Sequence, residues 1–60
     1  MKEQLKALLN ELSDSDFGKI KQLYAMQGIK GNTREEFVGN VSSDKLTQGI
    51  IYLCNKQLGR

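Results

Sequence analysis

The chain of 60 residues has no histidine, no tryptophan, no proline and a single cysteine, Cys54. Each absence removes a class of chemistry or of structure. Without histidine there is no side chain whose ordinary proton affinity lies near neutral pH, the usual general base. One cysteine cannot close an internal disulfide, and with no histidine beside it neither an activated nucleophile nor a closed zinc cage is available. No uninterrupted apolar stretch approaches the length of a membrane span or a signal-peptide core. The expectation is therefore a protein without catalytic residues, cofactor or metal, not in a membrane. An unpaired thiol fits a reducing, cytoplasmic location. The lack of proline leaves helix open to every segment.

Sixty residues are enough for one domain near the lower size limit for unaided folding. The reading is a single small helical domain over 1–60, either free-standing or a terminal module of a larger protein. Formal net charge is only +2, but it is unevenly spread. Residues 1–16 set Lys2 and Lys6 against Glu3, Glu11, Asp14 and Asp16. Residues 17–60 set Lys19, Lys21, Lys30, Arg34, Lys45, Lys56 and Arg60 against Glu35, Glu36 and Asp44. The main body is thus basic, which favours an acidic partner.

What is present reads as helix with well-marked ends. Leu5, Leu8, Leu9 and Leu12 form one helical stripe and predict a helix over about 2–12. Ser13-Asp14-Ser15-Asp16 supplies caps and acidic charge for a second helix over about 16–27. Phe17, Ile20, Leu23 and Tyr24 form its expected buried face. Gly28 is a left-handed stop, with Ile29 able to fold back beneath it. Thr33-Arg34-Glu35-Glu36 matches a capping box opening a short helix over about 34–40, anchored by Phe37 with Val38 or Val41. Ser42 or Ser43 then caps a last helix over about 44–57, with Leu46, Ile50, Leu53 and Cys54 inward and Gly59 as its stop. Gly49, inside that helix, is explained either by close approach of another helix or by an undemanding surface position. The fold class is all-α: a compact bundle of four helices.

Function must then come from what stays wet. Met26 falls opposite Phe17, and Tyr52 points away from Ile50. Single exposed apolar residues are ordinary; gathered together they make a partner groove. Lys19, Lys21, Lys30 and Arg34 are either a solvated surface or a patch for a partner's acidic residues or for phosphates. Cys54, on the apolar stripe, reads as a small buried hydrophobe. Gly28-Ile29-Lys30-Gly31 lacks the spacing of a phosphate loop.

From Phe17 onward, Ile20, Leu23, Met26, Gly28, Ile29, Phe37 and Ile51-Tyr52-Leu53 resemble a three-helix ubiquitin-associated-like (UBA-like) module. Gln27 separates Met26 from Gly28, and Ile29 stands where that family usually has an aromatic. The closing Leu46 to Leu53 pattern is also similar to small terminal modules of phage-type recombination and single-strand-annealing proteins. That resemblance implies binding to acidic tails of partner proteins in DNA recombination or replication. The favoured reading is a non-catalytic protein–protein interaction module. Met26, Ile29 and Tyr52 would meet the apolar part of an acidic-hydrophobic peptide or helix, and Lys30, Arg34 and Lys45 its carboxylates. One alternative is a nucleic-acid-binding or transcription-regulatory domain, with helices joined at Gly28 in a helix-turn-helix. Another is an oligomerisation element or phage accessory inhibitor, in which the Leu5-Leu8-Leu9-Leu12 stripe pairs with a second copy.

Overall fold

A computed structural model describes all residues 1–60 and contains four helices and no strand. They are α1 (Lys2–Glu11), α2 (Asp14–Ala25), α3 (Arg34–Asn40) and α4 (Asp44–Gln57). The expected all-helical architecture is confirmed, and the boundaries of α3 and α4 agree with the sequence reading. The second helix starts two residues earlier than expected because Ser13 is its cap. The Ser13 hydroxyl accepts a hydrogen bond from the Asp16 amide at 3.1 Å, which leaves Asp14 and Asp16 in the first turn, where they complement the helix dipole.

The other starts follow the same chemistry. The Thr33 Oγ1 accepts from the Glu36 amide at 3.1 Å, and the Ser43 Oγ from the Leu46 amide at 3.2 Å. Of the expected capping box at Thr33 only this half is made; Glu36 is exposed. The helix stops at Gly28 and Gly59 are alike. Both glycines have positive φ, 87° and 79°, the left-handed geometry that glycine adopts without a Cβ penalty. At the first, the Gly28 amide donates to the Ala25 carbonyl and the Ile29 amide to the Tyr24 carbonyl; at the second, Gly59 donates to Lys56 and Arg60 to Asn55. These paired bonds define a Schellman turn, whose usual companion is an apolar residue just past the glycine packing back on the helix. Ile29 does this and is 4% exposed.

Thirteen apolar residues form one interior: Leu5, Leu8, Leu9 and Leu12 from α1 and its end; Phe17, Ile20, Tyr24 and Ile29 from α2 and its stop; Phe37, Val38 and Val41 around α3; Ile50 and Cys54 from α4. The rings of Phe17 and Phe37 meet edge to face, 5.8 Å apart at 89°, the arrangement aromatic quadrupoles favour. Thr47 is the one buried polar residue, and its hydroxyl donates to the Ser43 carbonyl at 2.9 Å. The leucine stripe of α1 is spent entirely inside the chain, against α3 and α4. It is therefore not a free face on which a second copy could pair, as the oligomerisation reading expected of it.

Two other expectations change. Leu23, placed by its spacing on the buried face of α2, is 56% exposed. The buried arc of α2 is narrow, bounded by Phe17, Ile20 and Tyr24, and Leu23 lies about 100° around the helix from Tyr24. Lys21, expected on the solvent side, is half-buried, with its ammonium 5.5 Å from the Phe17 ring centre. Gly49 has a close neighbour: a Cβ there would lie 3.3 Å from the Tyr24 hydroxyl. This is the approach of α2 to α4 that the mid-helix glycine suggested.

Candidate functional site

The six residues expected to contact a partner divide into two groups. Ile29 and Arg34 are taken up by the fold. Ile29 belongs to the core, so its place on a contact surface is corrected. Arg34 sits at N1 of α3, but its guanidinium reaches across to the end of α1. Its Nε donates to the Leu9 carbonyl at 2.7 Å, and its Nη2 to the Leu12 carbonyl at 2.9 Å and to Asp14 Oδ1 at 3.0 Å. The same guanidinium lies over the Phe17 ring, 4.9 Å from its centre. The last turn of α1 contains no basic residue and no glycine stop. The Leu9 carbonyl already accepts from the Leu12 amide at 3.2 Å; Arg34 adds, from a distant part of the chain, a second donor there, a donor to the Leu12 carbonyl, and the positive charge that this helix end lacks.

Met26, Lys30, Lys45 and Tyr52 stay exposed. Lys30 lies in the loop after α2, where its carbonyl accepts a hydrogen bond from the Asn40 side chain. Met26, just past the end of α2, is 89% exposed, and Tyr52, in the middle of α4, is 62% exposed. Lys45 and Tyr52 share one stripe of α4 with Gly49 and Lys56, because positions i, i+4, i+7 and i+11 fall within an arc of about 60° on a helix. The Lys56 ammonium stands over the Tyr52 ring, 5.6 Å from its centre.

Lys45 and Lys56 make no ion pair. The three pairs in the structure are Lys19–Asp16, Arg34–Asp14 and Arg60–Glu11. The last is two-pronged, with both Arg60 Nη atoms donating to the Glu11 carboxylate, which holds that carboxyl below its usual range.

The Tyr24–Gly49 contact sets α2 beside α4, so this stripe has α2 as its neighbour. Around α2, Gly18 and Lys21 fall on the flank towards the 32–35 segment, where they line a cleft. Leu23 falls on the opposite flank. Leu23 and Tyr52 are both exposed, as is Met26 just past the end of α2. Exposure of Leu23 escapes a reading of periodicity, since its spacing alone assigns it inward. The one signal in the sequence is that Leu23 stands at the edge of the stripe.

The cleft on the other flank, about 550 Å³, is lined by Phe17, Lys21, Thr33 and Arg34 with Asp14 and Glu35. Its two positive charges are matched by two carboxylates, and its one apolar ring already carries Lys21 and Arg34. It offers neither a net charge nor an apolar floor to a ligand. No three potential metal ligands converge anywhere in the chain. Burial pushes the Cys54 thiol up to about 11, so it is protonated at neutral pH and a poor nucleophile there.

No protein-family model matches this chain, and neither the curated proteins nor the solved structures include a match to it. Residue geometry alone therefore carries the functional reading.

Proposed function

We propose that this chain is a non-catalytic protein–protein interaction module. It binds a short acidic-hydrophobic segment of a partner protein on the outward face of α2 and α4. One observation carries the reading: Leu23, Met26 and Tyr52 are large apolar side chains held in water, and Tyr52 shares one stripe of α4 with Lys45 and Lys56, neither of which is in an ion pair. Apolar side chains supply contact area and methionine adapts its shape to different partners, while the lysines favour carboxylates. The contact set expected from the sequence is accordingly revised: Met26, Lys45 and Tyr52 remain, Leu23 and Lys56 join them, and Ile29 and Arg34 leave. Lys30 lies outside that face.

The role also fits the resemblance of residues 17–53 to UBA-like modules and to terminal modules of recombination proteins. It makes the acidic tail of a single-strand-binding protein a sensible first peptide. The nucleic-acid alternative draws less support. The helix after the Gly28 turn is seven residues long, its arginine is committed to α1, and it exposes Glu35 and Glu36, which phosphates repel.

The test is an amide NMR titration with a set of acidic-hydrophobic peptides. Shifts should concentrate at residues 23–26 and 45–56, and Tyr52→Ala and Lys56→Glu should each weaken them. If no peptide in the set moves those amides at millimolar concentration, the proposal fails.

A further inference from the structure

Resting on that reading, we propose that the bound partner segment is an amphipathic helix lying along α4, with acidic residues placed to meet Lys45 and Lys56 at the two ends of their stripe.

The fold itself argues for a helical guest. Every regular element here is a helix, whose amides and carbonyls bond within it. There is no strand edge to extend. An extended peptide would find no row of backbone partners and would have to leave its own amides to water, whereas a helix arrives with its backbone satisfied.

The stripe has the matching dimensions. Lys45 and Lys56 are eleven positions apart, about 16 Å at the helical rise. Gly49 and Tyr52 lie between them on the same stripe. Gly49 presents no side chain, and the Tyr24 hydroxyl of α2 lies against it, 3.3 Å from where a Cβ would stand, which leaves Tyr52 as the exposed apolar side chain between the two lysines. Another helix places residues i, i+4, i+7 and i+11 along one line at the same spacing. A guest with Glu or Asp at the first and last of these positions, and Leu or Met at the middle two, puts carboxylates at both lysines and aliphatic chains against Gly49 and Tyr52. Asp44, the only acidic residue of α4, falls about 100° away from Lys45 and does not interrupt the stripe.

Two capped peptides of equal composition and charge make the test. One is free to be helical with this spacing; in the other a residue of the central turn is exchanged with a flanking proline, which forbids helix there. The expected result is that the first peptide shifts the amides of residues 45–56 and of Leu23 and gains helical circular dichroism on binding. The second should bind at least about tenfold more weakly. Lys45→Glu and Lys56→Glu, both at exposed positions, should each weaken the helical peptide while leaving the protein's own dichroism unchanged. Equal binding of both peptides at these residues, without gain of helicity, overturns the helical guest and leaves the interaction module standing. Silence with every acidic-hydrophobic peptide overturns both. A single-stranded oligonucleotide moving these amides where the helical peptide does not would also overturn the inference.

Discussion

Replacing Arg34 with alanine should destabilise the protein more than any other substitution of a charged residue. The side chain is three-quarters buried and makes two charge-assisted bonds to main-chain carbonyls at 2.7 and 2.9 Å. Hydrogen bonds to a charged group are worth about 1.5–3 kcal/mol each, and the Phe17 ring adds about 0.5–1 kcal/mol. Water can reach the vacated carbonyls in part, so the expected net loss is about 2–3 kcal/mol. The Asp14 contact contributes little, since that carboxylate is 98% exposed. A domain of this length holds only about 3–9 kcal/mol in total. Thermal unfolding followed by circular dichroism should show a midpoint about 10–20 °C lower. Arg34→Lys keeps the charge and loses the fork, and should recover roughly half of the loss. Arg34→Met keeps the aliphatic stem over Phe17 and should recover less. The defect of Arg34→Ala should persist in 0.5 M salt (about a 4 Å screening length), because its partners are short-range carbonyls rather than a distant carboxylate. A midpoint for Arg34→Ala within about 2 °C of the parent would refute the reasoning. So would an Asp14→Asn defect as large as that of Arg34→Ala, which would move the stabilisation to the ion pair.

Cys54 should resist thiol reagents in the folded protein at pH 8 and react on unfolding. Its proton is held up to about pH 11 in the native state against an ordinary 9.0. Stability should be unaffected by this group below pH 9, then fall between 9 and 11 by up to about 1.4 kcal/mol per pH unit as only the unfolded thiol ionises. Burial raises the Tyr24 phenol in the same direction, so Cys54→Ala should flatten the alkaline limb without abolishing it; an unchanged limb would count against the thiol. Two glycines should respond oppositely to alanine. At Gly31 a Cβ would stand 2.5 Å from the Phe37 nitrogen and 2.7 Å from its Cα, and the forced backbone shift should cost about 1–3 kcal/mol. At Gly18, inside α2 with nothing within 4 Å, alanine should add up to about 1 kcal/mol. Denaturation midpoints that rank these two variants in the reverse order would contradict the packing described here.

Helix starts and stops were legible because they are local. Ser13, Thr33 and Ser43 each meet an amide three residues on, and Gly28 and Gly59 act on the turn just before them. The interior was largely legible for the same reason, since spacing on one helix determines which side chains share a face. Leu23 was not, because the width of a buried arc depends on how many elements press on that helix, and this is a tertiary property. Arg34 was not, because its partners lie 22 and 25 residues away. Read locally, it was one more exposed cation in a capping sequence. A clue lay at the other end of the contact: the first helix closes on Glu11-Leu12 with neither a glycine nor a basic residue to satisfy its last carbonyls, so some distant donor was required.

The same accounting indicates where recognition has room. The apolar stripe of α1 is wholly consumed by α3 and α4, and Arg34 ties the end of α1 to the start of α3. The short helix keeps Phe37, Val38 and the adjoining Val41 inward, so it has no apolar side chain left to offer. Apart from Met1 at the start of the chain, the large apolar residues left in water lie on α2, just past its end, and on α4. Leu23, Met26 and Tyr52 are not needed to close the core, yet their burial would be worth about 1.5–3 kcal/mol for a fully covered aliphatic side chain. That free energy is unused in the isolated chain and available to whatever covers these side chains. In the proposed interaction the unpaired Lys45 and Lys56 favour an acidic partner, and the lack of a strand edge favours a helical one.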